Sequence, residues 1–241
     1  MSSIFKRGWI NISIDMGLNS FDNYINEMED FLSNQVNKLE KQFNEAIKDI
    51  DSHEAEIIFE YEYEDQFFYF RKEFPNILRK SFIISLYSFL EQELNHICKH
   101  LEENNEFELT LNDLKSHTGI FKSYKYLDQV AKINLNTVKS EWTKILKINK
   151  IRNHFVHNGS DMLNKVIQPM GKEEKRINTT CTAFKYFNLV EEDTTYTKFR
   201  ESINDRRTLI YDITVSNDFC KEALSIVKDF FDKLTNMLKL Y

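Results

Sequence analysis

The residues of this chain whose types and spacing suit chemistry are concentrated in one short stretch, residues 151–159, which reads IRNHFVHNG. On a helix, which turns by about 100° per residue, Asn153 and His157 are one turn apart and share a face. An amide in that position can fix the tautomer of the imidazole. Arg152 is long enough to reach the same face. The stretch therefore predicts a guanidinium, an amide and an imidazole at the end of one helix.

This cluster suits the cleavage of RNA, which carries its own nucleophile in the 2′-hydroxyl. Histidine titrates near neutrality and can transfer the proton. Arginine is permanently charged, and its planar fork matches phosphate oxygens. This chemistry needs no metal ion, and we expect neither a metal nor another cofactor. The alternative is that Arg152 is a surface residue and that His157 is a cation favoured by the dipole at a helix C-terminus.

The helix that would position this cluster is predicted over residues 137–158, and Gly159 follows it where a left-handed backbone is needed. Trp142 and Leu146 fall on the same face of this helix as Arg152. A large apolar residue beside polar groups indicates a covered surface, and a second subunit is the obvious cover. We therefore expect Trp142 and Leu146 at a homodimer interface.

The net charge of −6, taken alone, disfavours nucleic acid as a partner. The charge is, however, distributed unevenly along the chain. Residues 21–74 carry fifteen Asp and Glu against five Lys and Arg, whereas residues 115–157 carry nine Lys and Arg against two acidic residues. A basic stretch inside an acidic protein localises a phosphate-binding surface. We expect Lys144, Lys147 and Lys150 to contact RNA. The alternative is that these lysines are solvated helix faces.

Five glycines and two prolines in the whole chain argue against a β-sandwich and against Gly-rich phosphate loops. Apolar residues at steps of three and four predict a long helix over residues 21–50, with Ser20 as its N-cap. Residues 77–103 are apolar on most of their surface and predict the central, most buried helix. Ser216 supplies cap chemistry for a last helix. In contrast, Ile177–Val190 and Thr208–Val215 are β-branched and aromatic, which predicts a small β-hairpin.

The fold class that follows is all-α, in a single domain over residues 1–241. It has an acidic helical region at 1–74 and a β insert at 176–215. Apolar runs fall short of the ~20 residues of a membrane span, so we expect no membrane association. No C-x-x-C pair occurs among the three cysteines, which indicates reduced thiols and a cytoplasmic location.

The motif Arg152-Asn153-x-x-x-His157 resembles the R-N-x-x-x-H signature of the HEPN superfamily of helical, dimeric RNases. The flanking residues are also similar to those of HEPN proteins from prokaryotic defence and toxin systems. These are SEW at 140–142, KI at 150–151, HNG at 157–159 and SLYSFLE at 85–91. The resemblance covers roughly residues 76–160 and the last helix, and it implies an HEPN-like helical bundle.

The resemblance implies that Arg152 and His157 are catalytic, that Asn153 supports them, and that Glu91 lies near the site. Two subunits would place their motifs in one cleft and yield a 2′,3′-cyclic phosphate and a 5′-hydroxyl. The expected protein is a metal-independent endoribonuclease acting as a toxin or anti-phage defence effector. Its partners would be RNA, a second copy, and an antitoxin or regulatory protein. The alternative is a catalytically inactive HEPN scaffold that binds a partner within a defence system.

Overall fold

A computed structural model describes residues 3–115, 118–158, 161–167, 171–194, 198 and 208–238, with side chains from residue 8 onward. The fold is mostly α-helical with a small antiparallel sheet, as the all-α prediction with a β insert anticipates. The predicted helix end at Gly159 lies outside the described residues. None of the helices in these ranges has the length and apolar character that crossing a membrane requires.

The elements follow one another along the chain as helices, with the strands near the C-terminal end. The α-helices are α1 (Ser3–Ala46), α2 (Ser52–Ile58), α3 (Glu64–Phe68), α4 (Phe74–Asn104), α5 (Ile120–Lys125), α6 (Lys139–His157), α7 (Lys172–Tyr186) and α8 (Asn217–Leu238). The strands are β1 (Met162–Val166), β2 (Val190–Glu192) and β3 (Thr208–Ile213). Single π-helical turns at Phe59–Tyr63, Tyr69–Glu73 and Tyr126–Val130 and 3₁₀ turns at Leu111–Asp113 and Leu135–Val138 connect them.

The first helix, α1, begins well before the predicted start near residue 21. Ser20 is not an N-cap, because it lies inside the helix and its hydroxyl donates to the Met16 carbonyl at 2.8 Å. Ile14 and Leu18 are buried with Ile25 on one face. The apolar spacing therefore continues upstream, and burial of this face extends the helix past the polar residue that resembles a cap.

The central helix is α4, as predicted. Pro75 stands in its first turn, where a missing N–H costs nothing. Phe82, Leu90 and Leu94 are almost fully buried along its length. An ion pair fastens this helix to its neighbours, since Arg79 donates to both Glu29 oxygens at 2.7 and 2.8 Å and to the Val215 carbonyl at 3.1 Å.

The β insert is only partly as predicted. Thr208–Ile213 of the predicted Thr208–Val215 forms β3, but most of Ile177–Val190 is helix α7 rather than a strand. Thr179 and Thr180 donate their hydroxyls to the Arg176 carbonyl at 2.8 and 3.2 Å, so these β-branched residues are satisfied inside a helix. Burial of one helical face overrides the strand propensity.

One edge strand of the sheet, β1, lies in a segment for which the sequence predicts no strand. β3 is central and pairs antiparallel with β1 and β2, with Leu163 opposite Tyr211 and Val190 opposite Ile213. The sheet is thus three-stranded, and α7 lies between β1 and β2 in the chain. It packs on the helices through one continuous buried core.

The cysteines, Cys98, Cys181 and Cys220, are all buried free thiols. Burial raises the pKa of Cys98 and Cys220 to about 12. These two thiols therefore stay protonated and unreactive at neutral pH.

Gly17 offers a test of the contact between α1 and α4. A Cβ at this position would overlap the ring of Phe89, whereas one at Gly8 would meet nothing within 4 Å. We expect Gly17→Ala to lower the free energy of unfolding by about 1–3 kcal/mol, because overpacking forces the ring aside. Urea denaturation measures this loss. Gly8→Ala, on the same helix, is the control and should be neutral or slightly stabilising; equal stability of the two variants would contradict the packing.

Candidate functional site

Helix α6 carries the predicted motif and is held from several sides. Its apolar face, with Ile145, Ile148 and Ile151, is buried. It packs against α4, α7 and α8. Asn134 caps the 3₁₀ turn before it, because its side chain accepts a hydrogen bond from the Asn136 N–H at 3.2 Å. The opposite, more polar face is therefore fixed in orientation relative to α7 and the sheet.

A cavity of about 820 Å³ lies between α6, β1 and α7. Each of the three elements contributes a part of its wall. The lining residues are Lys150, Asn153, His154, His157 and Asn158 from α6 and its end, Met162, Leu163 and Asn164 from β1, and Glu173, Arg176, Ile177, Thr179 and Thr180 from α7.

The predicted motif residues lie close together, but Arg152 points away from this cavity. Arg152 Nη1 donates to Asn153 Oδ1 at 2.9 Å, and Asn153 Nδ2 donates to Asn149 Oδ1 at 3.0 Å. The guanidinium lies 5.3 Å from the centre of the Tyr87 ring on α4. Its Nε is buried and has no hydrogen-bond partner within the described ranges. Asn153 thus connects the cavity wall to a half-buried arginine behind it.

Glu91 lies on the arginine side and not at the cavity. Burial, together with the nearby Glu91 charge, raises the pKa of the Tyr87 phenol, while the Arg152 charge opposes the shift. Glu91 lines a separate cavity of about 250 Å³ beside Gly119 and Lys122. Glu91 and Arg152 thus both lie close enough to Tyr87 to act on its pKa, and Glu91 lines a different cavity from Asn153 and His157.

The two histidines of the motif have different environments. His157 is exposed and lines the cavity. His154 is 6% exposed, and its ring lies edge-on to Phe184 with 5.3 Å between ring centres. The side-chain nitrogen of Asn158 lies 3.1 Å from its Nδ1. The structure thus gives His154 a packing role and leaves His157 accessible to a ligand.

The three lysines expected to contact RNA have separate positions. Lys150 is exposed and lines the cavity with Asn153 and His157. Lys147 lies with its Nζ 4.2 Å from the centre of the Tyr186 ring on α7. Lys144 is half-buried and does not line the cavity. Only Lys150 is therefore placed to meet a ligand beside His157.

Trp142 differs from the expectation of a subunit interface. It is 7% exposed within this single chain, stacks on Tyr124 with 4.0 Å between ring centres, and lies 6.0 Å from the rings of Phe121 and Phe230. Leu146 is half-buried and packs against the same core. The aromatic residues that cover Trp142 come from α5 and α8. Trp142 gives no indication of a second subunit.

Arg176 was missed because its segment was predicted as a strand. Its Nη2 lies 2.6 Å from Glu173 Oε1, and its Nε donates to both Glu173 oxygens at 3.1 and 3.2 Å. These hydrogen bonds hold the pKa of Glu173 below its usual value. The spacing of residues 173, 176, 177 and 180 is helical and could have revealed their shared face.

No metal site accompanies this cavity in the part of the chain that is described. Across those residues, no group of three or more His, Cys, Asp or Glu side chains is arranged to hold a metal ion. The polar groups that line the cavity are imidazoles, amides, two threonine hydroxyls, the Glu173 carboxylate and two cationic side chains, Lys150 and Arg176.

Comparisons with known proteins add no information about the site. No family model, no curated protein and no solved structure matches this chain.

The different environments of the two histidines predict different effects on stability. We expect His154→Ala to lower the free energy of unfolding by about 2 kcal/mol, because it leaves a hole against Phe184. His157→Ala should change it by less than about 0.5 kcal/mol, as is usual for exposed residues. Thermal or urea denaturation of both variants measures the difference. A larger loss from His157→Ala would contradict this assignment.

Proposed function

We propose that this protein is a metal-independent endoribonuclease of the HEPN type, with His157, Asn153 and Arg152 as its working residues. The observation that carries the proposal is the line of Lys150, Asn153 and His157 along one wall of a cavity of about 820 Å³. A cation, an amide and an accessible imidazole at helical spacing match what cleavage by the 2′-hydroxyl requires.

In the proposed reaction His157 acts as the proton-transfer group. It takes the proton of the 2′-hydroxyl, whose oxygen then attacks the adjacent phosphorus. The bond from phosphorus to the 5′-oxygen breaks, giving a 2′,3′-cyclic phosphate, and the leaving oxygen takes up a proton to become a 5′-hydroxyl. A general acid or base of this kind contributes about 10²–10⁴-fold to the rate.

Asn153 and Arg152 are proposed to stabilise the charge on the phosphorane. Both polar atoms of the Asn153 amide are already engaged, by Arg152 and by Asn149. That network orients the amide. Arg152 does not line the cavity, so in this proposal its guanidinium acts on the phosphorane through the Asn153 amide, to which it donates a hydrogen bond. Lys150 would add a second positive charge at the cavity mouth.

The alternative of an inactive HEPN scaffold also has an observation in its favour. Arg152 does not line the cavity but lies against Tyr87 and bonds to Asn153. An arginine used only to connect α6 with α4 would stabilise the bundle and take no part in catalysis. The toxin or defence role and the antitoxin or regulatory partner rest on the family resemblance.

The nuclease proposal predicts a loss of activity in two variants. Incubated in EDTA with single-stranded RNA, the wild type should give products with 2′,3′-cyclic phosphate ends. His157→Ala and Arg152→Ala should each lower the rate at least about 100-fold, since each removes a group acting in the transition state. Gel analysis of end-labelled RNA measures both the rate and the ends.

Matched controls separate chemistry from folding. His53→Ala removes another exposed histidine, on α2. Arg152→Lys keeps the positive charge but loses the planar fork of N–H donors that matches phosphate oxygens. The first should cut at the wild-type rate, and the second should remain impaired. Intact RNA with the wild type, or equal cutting by His157→Ala, would favour the scaffold.

The resemblance to HEPN proteins also implies a homodimer, and a homodimer can be tested separately from the catalytic residues. If two motifs share one cleft, a second His157 supplies the acid for the leaving oxygen. Mixing wild type with excess His157→Ala protein should then reduce the cleavage rate per wild-type chain, as subunits exchange. Sedimentation equilibrium should show a dimer. A monomer that cuts RNA at full rate would refute the shared cleft.

A further inference from the structure

Helix α7 forms the second wall of the cavity, facing the motif helix α6. Its residues 173, 176, 177 and 180 line the cavity at helical spacing, as do residues 150, 153, 154 and 157 of α6. One chain therefore supplies two polar helix faces to the same cavity, and β1 supplies a third part of its lining. None of the α7 residues belongs to the motif on which the proposed function rests.

Two contacts fix the position of α7. Phe184 is fully buried and lies 5.7 Å, centre to centre, from Phe155 on α6. On the other side, Asn178 Oδ1 accepts from the Val166 N–H at 2.8 Å, and its Nδ2 donates to the Val166 carbonyl at 2.7 Å. An amide that satisfies both backbone groups of a strand residue holds the helix in register with β1.

The Arg176 guanidinium has one edge engaged and one edge open. Its Nε and Nη2 face the Glu173 carboxylate. The side chain of Arg176 is 73% exposed and that of Glu173 is 67% exposed. Nη1 makes no hydrogen bond within the described ranges. Arginine has five N–H donors, so the edge formed by Nη1 and Nη2 can still bind an anion with two parallel hydrogen bonds.

We propose that Arg176 binds a phosphate of the RNA strand next to the one that is cleaved, with Glu173 holding the guanidinium in place. This inference rests on the proposed function and names the substrate contact on the second wall. Lys150 and Arg176 then contact the strand from opposite sides, while Glu173 keeps the arginine from turning away. A single strand fits this arrangement, because its phosphates are free to adapt to two facing walls.

The experiment uses the full chain and a labelled single-stranded oligonucleotide in which every ribose is 2′-O-methylated, so that it binds but cannot be cut. Arg176→Ala should raise the Kd about tenfold, as expected for a lost charge-assisted phosphate contact. It should also reduce the slope of log Kd against log salt by about 0.7. Arg71→Ala, which removes another exposed arginine paired with a glutamate, should change the Kd less than about twofold.

The variant Glu173→Gln separates the orientation of the Arg176 guanidinium from its binding of the phosphate. It keeps the side-chain size but loses the charge that orients Arg176, so the Kd should rise by about twofold to fivefold, less than in Arg176→Ala. On cleavable RNA, Arg176→Ala should raise KM in the same proportion and leave kcat nearly unchanged, because the contact is made equally before and during the reaction.

The outcomes distinguish this inference from the proposed function. If the wild type binds the methylated strand and Arg176→Ala weakens binding while cleavable RNA stays intact, the phosphate contact at Arg176 stands without a cleaved neighbour, and the nuclease proposal fails. An unchanged Kd and salt slope in Arg176→Ala would overturn the inference, whether or not RNA is cut. Failure of the wild type to bind the strand at all would overturn it as well.

Discussion

The packing of Phe184 on α6 is the contact on which the candidate site depends. It brings a helix that carries no part of the motif to within ring contact of Phe155 and His154. Aromatic pairs of this kind stabilise a fold beyond their buried area, and they set orientation through their edge-to-face geometry. Without this contact the polar face of α6 would be an open surface. With it, that face becomes one wall of a cavity.

The core behind α6 explains why this face is free to carry polar residues. Trp142 and the isoleucines of α6 are covered by elements of the same chain, and the Arg79–Glu29 pair joins α4 to α1. The isoleucines of α6 are therefore buried along one side of the helix, and Trp142 near its start is buried by α5 and α8. The other side is left for Lys150, Asn153 and His157, which need solvent and ligand rather than packing.

Much of the helical framework could be predicted, and the errors have physical causes. Steps of three and four between apolar residues identified the part of α1 from residue 21 onward, and apolar residues over most of the surface identified α4, since both patterns are local properties of a helix. Ser20 was misjudged because a hydroxyl in mid-helix can bond to the preceding turn as well as cap an end. The segment 177–186 was misjudged because the burial of Cys181, Ala183 and Phe184 on one helical face outweighs the strand preference of its threonines.

The sequence by itself determined that Asn153 and His157 share one face, since this follows from the helical repeat and nothing else. It also determined the mostly helical fold. Only the tertiary structure decided that Arg152 turns toward Tyr87, that Glu91 lines another cavity, and that Arg176 lines the same cavity as His157. These positions depend on which helices lie side by side, and that is fixed by contacts between residues far apart in the chain.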